Sequence, residues 1–259
     1  MTDIAEAYPE YGLAGRTLLA YRWIREGTRD LLDAGCAYGY GTRFLAQRSL
    51  RTTGVDPSQL YVEIASKRYS GITFIAAAME ETGLASESFD VVTLTDVLEH
   101  VVDERRTLDE IYRVLRPGGQ LIVTVPHKGW FGFLDIDNLV YLFAGAFPAL
   151  HRYLRRTRME RIGDEKPGYG DWHRHYSLSD VRALLDNSRF AQAYTIEEVR
   201  YAGLFIEPAA AVLYNAVRVL AGARNANQFL RWTEGLTSSD YFRSYGTASY
   251  NLALRVTKH

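Results

Sequence analysis

The chain has 259 residues, 47% of them hydrophobic and 24% charged, which is an ordinary composition for a soluble globular protein. Its formal net charge of −1 gives no global attraction to nucleic acid, and its single cysteine excludes an intramolecular disulfide and a cysteine-based zinc site. The N-terminus lacks the pattern of a signal peptide, and no apolar run reaches the roughly eighteen residues of a transmembrane helix. We therefore expect a cytoplasmic protein with one α/β domain over residues 1–259.

Residues 1–28 carry apolar and aromatic side chains at helical spacing, which predicts leading helices. Short apolar runs then alternate with helical segments. Strands are predicted near 30–33, 51–55, 72–76, 89–95 and 119–125. Helices are predicted near 40–48, 58–68 and 103–115. This alternation predicts a parallel sheet with helices on both faces, in which ligands sit at the carboxyl ends of the strands.

Two insertions interrupt the second half of the chain. The first, at about 128–172, has an aromatic half followed by a basic half. The aromatic half contains Trp130, Phe131, Phe133, Leu134, Leu139, Tyr141, Leu142, Phe143 and Phe147, and the basic half contains Arg152, Arg155, Arg156, Arg158 and Arg161. The second insertion, at about 201–247, is predicted to follow a helix near 178–187 and a strand near 190–199 and to precede a last strand over 249–257.

The segment Leu31–Gly41 carries the most informative pattern. Its apolar run ends at Asp33, and Gly35 and Gly39 lie in the following turn, where the absence of a Cβ lets the backbone approach a ligand. Asp56 ends the next apolar run, about twenty residues later, where an acid can bind two ribose hydroxyls. The pattern predicts a nucleotide-binding strand–turn–helix unit.

Two further segments, Ser88–Leu94 and Val114–Gly119, complete a set that resembles the class I S-adenosylmethionine (SAM) dependent methyltransferases. The resemblance is to small-molecule enzymes with LDxGCGxG and LRPGG motifs, and it covers roughly the first half of the chain. It implies SAM as the methyl donor and a Rossmann-like seven-stranded sheet, mostly parallel with an antiparallel last strand. Helical caps would fill the two insertions, the second replacing the turn between the last two strands.

The resemblance also implies the residues that hold the donor. Asp33 would bind the methionine amino group, and Gly35 and Gly39 would form the turn beneath methionine and ribose. Asp56 would take the ribose hydroxyls. The full predicted donor site is Asp33, Gly35, Ala37, Gly39, Asp56, Pro57, Met79, Glu80 and Thr95.

Two positions depart from the family pattern. Ala37 replaces the usual glycine, so that either its φ stays negative or slight strain is tolerated. The usual acid at the adenine end falls on Ala78, which leaves the Met79 backbone or the Glu80 side chain to accept from the adenine amino group. The Met79 sulfur could pack on the adenine ring, or Met79 could be a core residue.

The segment Thr95–His100 follows the fourth strand, beside the expected position of the transferable methyl. If Asp96 opens a helix, then Glu99 and His100 share its face and form a candidate divalent-cation site. The segment resembles the E-x-x-E-H stretch of ubiquinone-biosynthesis O-methyltransferases, where it implies a metal. Bound Mg²⁺ could lower the pKa of an acceptor hydroxyl. Alternatively, His100 is a general base or the segment is purely structural.

Three other histidines are candidate general bases. His173 and His175 re-enter the core after the first insertion, where residues of this family usually face the acceptor, and His127 ends the fifth strand. Asp135 and Asp137 could complete a metal site or hold sugar hydroxyls. A surface or capping role is an open alternative for each of these residues.

The insertions bear on the acceptor and on partners. Trp130 and Phe133 could stack on a sugar or acyl chain, with a peripheral membrane contact as the alternative. The arginines of 152–161 could bind phosphate, carboxylate or a membrane surface, or form a solvated helix face. The apolar caps could also bury a homodimer interface. Carbohydrate-compatible side chains in the insertions are Asp135, Asp137, Asn138, Asp171, Trp172, His173, Arg174 and Tyr176.

The predicted function is SAM-dependent methyl transfer to a hydroxyl of a small metabolite, with a saccharide or glycolipid precursor as the favoured acceptor. One alternative is a phenol or quinone acceptor. Another is a catalytically silent SAM-binding scaffold protein. A nucleic-acid methyltransferase is the weakest interpretation, because the chain has no Asn-Pro-Pro-Tyr-type motif and no basic surplus.

Overall fold

The computed structural model describes residues 12–130, 174–204 and 206–259, and the elements are numbered in chain order within those ranges. The strands are β1 Asp30–Ala34, β2 Arg51–Asp56, β3 Thr73–Ala76, β4 Phe89–Thr95, β5 Leu115–Pro126, β6 Tyr194–Ala202 and β7 Asn251–Lys258. The helices are α1 Gly15–Trp23, α2 Thr42–Leu45, α3 Gln59–Arg68, α4 Glu104–Val114, α5 Leu178–Asp186, α6 Ile206–Ala221 and α7 Ala223–Tyr241, with 3₁₀ turns at Ala46–Arg48 and Gly246–Ala248.

All seven strands form one sheet in the order β3-β2-β1-β4-β5-β7-β6. β1 to β5 pair in parallel, whereas β7 is antiparallel to both of its neighbours, β5 and β6. The strand order reverses between β1 and β4, which is the switch point where such sheets bind ligands. The predicted Rossmann-like, mostly parallel sheet is confirmed, and α6 and α7 stand in place of the turn between β6 and β7.

Both faces of the sheet are covered, so that every residue of β1 is buried. One hydrophobic cluster joins Leu32, Val92 and Val123 of the sheet to α4 and α5. The other joins neighbouring residues of the same strands, which point to the opposite face, to α1, α2 and α7. Because both of their faces are buried, the central strands can be recognised in the sequence as apolar runs.

Several boundaries differ from the predicted ones for local reasons. β5 begins at Leu115 rather than near 119, because Leu115 pairs with Phe89 before a bulge shifts the register. β6 begins at Tyr194 rather than near 190, because a turn keeps Phe190 fully buried against Tyr112, with ring centroids 5.1 Å apart. α1 accounts for part of the predicted leading helices, and residues 1–11 lie outside the described ranges.

The helical hairpin of α6 and α7 has exposed apolar side chains, among them Leu213, Leu220 and Trp232. The homodimer stays a prediction for the apolar caps. The peripheral membrane contact stays a prediction for the aromatic part of the first insertion, which apart from Trp130 lies outside the described residues. Among the helices in the described part of the chain, none combines the length and the apolar character needed to cross a bilayer.

Glu110 of α4 links that helix to the segment after β3. Its carboxylate accepts from the Thr82 amide at 2.9 Å and from Arg113 Nε at 2.7 Å. Burial raises the pKa of Glu110, but the Arg113 and Thr82 contacts outweigh burial and bring it from 4.5 to about 2. The carboxylate therefore stabilises the fold above pH 4.5, and this contribution is lost as the pH falls toward 2.

We expect Glu110→Gln to lower the free energy of unfolding at pH 7 by about 2 kcal/mol, allowing for solvent screening of Arg113. Urea unfolding at pH 7 and pH 3 measures this, and the deficit should shrink at the lower pH. Glu63→Gln, which changes an exposed carboxylate that accepts from Gln59 at 3.0 Å, is the control and should change stability little. An equal loss of unfolding free energy at both pH values would contradict the stabilising role assigned to the Glu110 carboxylate.

Candidate active site

The glycine turn after β1 requires glycine at two positions. Gly35 has φ +83°, and a Cβ there would lie 2.2 Å from Val97 Cγ2. Gly39 has φ +78°, and its Cβ would lie 2.9 Å from the side chains of Ala65, Phe74 and Tyr69. The turn is pinned to β2, since the amides of residues 35 and 36 both donate to the Val55 carbonyl, at 2.7 and 3.0 Å. A side chain at either glycine would therefore clash with its neighbours and displace the turn.

Ala37 has φ +44°, so the expectation that it keeps a negative φ is wrong and slight strain is tolerated instead. The reason lies in its amide, which donates to Asp56 Oδ2 at 2.9 Å. That bond holds the turn in the left-handed conformation that glycine would adopt without strain. The predicted turn therefore forms despite the departure from the family pattern.

Asp56 ends β2 and is 8% exposed. Its Oδ1 accepts from the Ser58 amide at 2.9 Å, and its Oδ2 from Ala37. Burial raises the pKa of Asp56, the two amide contacts oppose this, and nearby Asp33 raises it further. Because a carboxylate has about four acceptor positions, two amide bonds leave capacity for a pair of ligand hydroxyls.

Asp33 is 4% exposed near the end of β1. Its Oδ2 accepts from Thr42 Oγ1 at 2.6 Å and its Oδ1 from Thr93 Oγ1 at 2.8 Å. Burial raises the pKa of Asp33, and these two hydroxyl contacts oppose the rise only in part. Both hydroxyls orient the carboxylate without neutralising it.

The turn is consequently a negative environment. Asp33 and Asp56 both raise the pKa of the buried Cys36 thiol between them, after burial itself, the largest cause. Elsewhere in the sheet, Arg51 and Arg116 lower the pKa of Asp30, whereas burial raises the pKa of Asp90 and the Asp30 amide, Arg116 and the Arg29 amide outweigh it. The contacts that lower the pKa of Asp33 and Asp56 come from hydroxyls and amides. A cationic ligand would therefore be favoured, and the ammonium and sulfonium groups of SAM fit this environment.

The residues predicted to bind adenine contact other parts of the fold. The Met79 side chain is 2% exposed and belongs to the hydrophobic core, which supports the core interpretation. Glu80 Oε1 accepts from the amides of Val102 and Asp103, at 3.0 and 3.3 Å. Pro57 follows Asp56 and is half-buried. The roles of Met79, Glu80 and Pro57 toward adenine and ribose stay predictions.

The predicted helix at Asp96 does not form, and this expectation is wrong. Asp96 has φ +53°, and the chain turns through residues 97–100 before α4 begins at Glu104. Asp96 instead accepts from Thr124 Oγ1 at 2.7 Å and forms an ion pair with Arg16 of α1. Thr95, the last residue of β4, is half-buried beside it.

Without that helix, the predicted metal ligands Asp96, Glu99 and His100 do not share a face. His100 Nε2 lies 4.0 Å from Glu99 Oε1, and Glu99 is 3% exposed. No cluster of three or more His, Cys, Asp or Glu residues that could hold a metal ion occurs within residues 12–130, 174–204 and 206–259. The described residues therefore do not assemble the predicted magnesium site.

The other candidate histidines differ in what the structure records. His173, together with Asp135, Asp137 and the arginines of 152–161, lies outside the described residues. His175 is described and half-buried. His127 is 4% exposed at the end of β5, and its Nδ1 lies 2.9 Å from the Ser249 carbonyl. Since a carbonyl only accepts, Nδ1 carries the proton and Nε2 is the basic nitrogen of the neutral ring.

Three residues near the site were not singled out for the contacts they make. Arg16 reaches Asp96 from α1, and no local motif marks it. Arg174 and Tyr176 contact the 97–104 turn, although the sequence pattern drew attention to the histidines around them. Their position just before the Ser177 capping box of α5 was the available signal.

Comparison with known proteins decides the family. A family described as a methyltransferase domain matches residues 32–123, which contain the glycine turn, Asp56 and the LRPGG segment. The ubiquinone biosynthesis O-methyltransferase of Pseudomonas entomophila is 33% identical over 155 residues, which cover 56% of this chain and 67% of that protein. The chain belongs to the class I SAM-dependent methyltransferases.

Other similar proteins either match a shorter segment or share a lower sequence identity. A probable SAM-dependent methyltransferase of Mycolicibacterium smegmatis is 36% identical over 100 residues, and the match spans 39% of each protein. A SAM-dependent methyltransferase structure from Mesorhizobium loti has a TM-score of 0.54 and 20% identity, covering 95% of this chain and 100% of that one. Phosphoethanolamine N-methyltransferase 2 of Haemonchus contortus has a TM-score of 0.58 and 15% identity, covering 98% and 55%. These two likenesses show the fold alone.

Proposed function

We propose that this methyltransferase transfers the SAM methyl group to a hydroxyl oxygen of a small metabolite, and that a saccharide or glycolipid precursor is the leading acceptor class. The observation that carries the donor assignment is the pair of buried carboxylates, Asp33 and Asp56, around a turn that excludes side chains at Gly35 and Gly39. Oxygen as the acceptor atom is supported by the relatives named ubiquinone biosynthesis O-methyltransferase. The saccharide class is supported by the polar and aromatic side chains of the first insertion.

The donor residues would bind and orient rather than react. Asp33, held by Thr42 and Thr93, would bind the methionine ammonium, and Asp56 would bind the ribose hydroxyls. SAM itself supplies a methyl group already activated on a sulfonium. The protein's remaining tasks are to align the acceptor oxygen with the methyl and to remove the hydroxyl proton.

We assign proton removal to His100. Its Nε2 lies 4.0 Å from Glu99 Oε1, close enough for the carboxylate to stabilise the imidazolium that forms when the proton arrives. His100 remains partly exposed, with 25% of its side chain accessible, which allows the proton to leave to solvent. His173 and His175 are the alternative bases.

His100→Ala tests this assignment. Turnover should fall about 10²-fold or more, the usual loss when a general base is removed, while S-adenosylhomocysteine binding should change less than about twofold. Calorimetry with S-adenosylhomocysteine and initial rates of methyl transfer provide the two readouts. His259→Ala, at an exposed residue that contacts Thr195 at 2.6 Å, is the control. Normal turnover in His100→Ala would remove His100 from the mechanism.

The acceptor class is tested with radiolabelled SAM and host extract separated into oligosaccharide, lipid and small-phenol pools. Label in the oligosaccharide or glycolipid pool supports the proposal, and its persistence in EDTA supports base catalysis without a bound metal. Label only in the phenol pool would replace the saccharide proposal by the phenol or quinone alternative. Absence of label from every pool, with S-adenosylhomocysteine still bound, would favour the scaffold alternative.

A further inference from the structure

The turn between β4 and α4 carries Glu99 and His100 but has few hydrogen bonds of its own. Among the backbone contacts of the described residues, one lies within this turn, from the His100 amide to the Val97 carbonyl at 2.9 Å. Since buried backbone groups need partners, a turn of this kind depends on side chains from other segments to keep its shape. The side chains that supply these partners come from segments before and after the first insertion: Glu80 precedes it, and Arg174 and Tyr176 follow it.

Arg174 supplies two of these contacts. Its Nε donates to the Glu99 carbonyl at 3.3 Å, and its Nη2 donates to the Val101 carbonyl. Its Nη1 forms an ion pair with Glu104, in the first turn of α4. One planar guanidinium thus contacts the turn on both sides of His100, in a geometry that the single ammonium of lysine does not reproduce.

Two further side chains hold the same turn. The Tyr176 hydroxyl donates to the Leu98 carbonyl at 3.1 Å and lies 3.3 Å from Glu104 Oε1. Glu80, in the segment after β3, accepts from the amides of Val102 and Asp103. The turn is therefore clamped at residues 98, 99 and 101–103, and His100 lies within the clamped stretch.

We propose that Arg174 is a positioning residue for the acceptor side of the active site: its guanidinium fixes the backbone around His100 and so sets the direction of the imidazole. Arg174 does not touch the reacting atoms and acts through His100. The inference rests on the proposed function for its catalytic consequence, whereas the clamp itself is a property of the fold.

The first test measures the clamp without using activity. Hydrogen–deuterium exchange of wild type and Arg174→Gln is compared over residues 97–103, with S-adenosylhomocysteine bound. Protection in this stretch should fall by about tenfold or more, whereas protection in β1 and the dissociation constant of S-adenosylhomocysteine should stay within about twofold. Arg105→Gln, which breaks an exposed ion pair with Asp109 in α4, is the matched control and should leave the stretch protected. Unchanged exchange in Arg174→Gln would overturn the proposal.

The second test is a double-mutant cycle on methyl transfer to the labelled pool. Arg174→Gln should lower kcat about 10- to 100-fold with little change in KM, and Arg174→Lys should not restore it. In the His100→Ala background the same change should have almost no further effect, because Arg174 acts through His100. Additive losses, or an equal loss of S-adenosylhomocysteine binding, would mean a general structural role and would overturn the proposal.

The two proposals fail in different ways. If wild type labels no pool but Arg174→Gln loses protection over 97–103, the proposed O-methyl transfer fails and the clamp stands as a structural device without the assigned catalytic role. Partial recovery of kcat in Arg174→Ala on addition of methylguanidinium is expected. If kcat does not recover and circular dichroism shows that Arg174→Ala is unfolded, Tyr176→Phe replaces it as the test variant. Tyr176→Phe removes one hydrogen bond to the turn and should raise hydrogen exchange over residues 97–103.

Discussion

Gly35→Ala should abolish S-adenosylhomocysteine binding at concentrations that saturate wild type. The added Cβ would lie 2.2 Å from Val97 Cγ2, and residue 35 already has φ +83°, a conformation that L side chains rarely adopt. Because its amide donates to the Val55 carbonyl at 2.7 Å, the turn cannot move away from Val97 without losing that bond. We expect a loss of about 3 kcal/mol or more in unfolding free energy, from backbone strain and overpacking together.

The chain offers a matched control at Gly71, which has the same φ of +83° but nothing within 4 Å of its Cβ position. Gly71→Ala should therefore cost only the conformational strain, about 1–2 kcal/mol, and should leave S-adenosylhomocysteine binding unchanged. Urea unfolding and calorimetry on both variants separate the steric effect from the strain. Equal losses of stability and intact binding in both would show that Gly35 is needed only for its φ.

The second large effect is expected for Asp56→Ala. This change removes the acceptor for the Ala37 and Ser58 amides as well as the proposed contact with the ribose hydroxyls. Ala37 keeps its strained φ of +44° only while such an acceptor is present, so the turn should relax as well. We expect the dissociation constant of S-adenosylhomocysteine to rise about 100-fold or more, since each lost hydrogen bond to a charged group is worth about 1.5–3 kcal/mol.

Asp56→Asn separates the role of Asp56 in holding the turn from its proposed role in binding the ribose hydroxyls. Its side-chain oxygen retains one acceptor for an amide and its volume is unchanged, so that stability should fall less than in the alanine variant while binding remains clearly weakened. Calorimetric titration with S-adenosylhomocysteine provides the comparison. If Asp56→Asn bound as tightly as wild type, the carboxylate charge would have no part in donor binding.

The donor half of the protein was predictable because its signals are local. A strand buried on both faces is mostly apolar, and an acid or glycine at its carboxyl end then stands out, as Asp33 and Gly35 do. The spacing to Asp56 adds a second strand that ends in a buried acid. The mostly parallel sheet and the antiparallel pairing of β6 with β7 followed from the same alternation together with the family resemblance.

The acceptor half was less predictable because its contacts are made between distant segments. The spacing of Asp96, Glu99 and His100 suits a helix, yet the Thr124 hydroxyl, the Thr124 carbonyl and Arg16 hold Asp96 in a left-handed turn. No periodicity in the segment carries that information. Similarly, the strain at Ala37 depends on a carboxylate nineteen positions away along the chain, at Asp56.

The place of β7 in the sheet has a consequence for how the chain folds. β7 lies between β5 and β6, pairing Asn251 with Pro126 on one side and with Ala202 on the other. The β5–β7 ladder joins segments far apart in sequence, so that forming it requires closing a long loop at a cost in chain entropy. Because a topology of high contact order folds slowly, we expect this ladder to form late. Until β7 pairs, β5 lacks a partner along one edge and β6 lacks one along both, and such unpaired edges can pair with other chains.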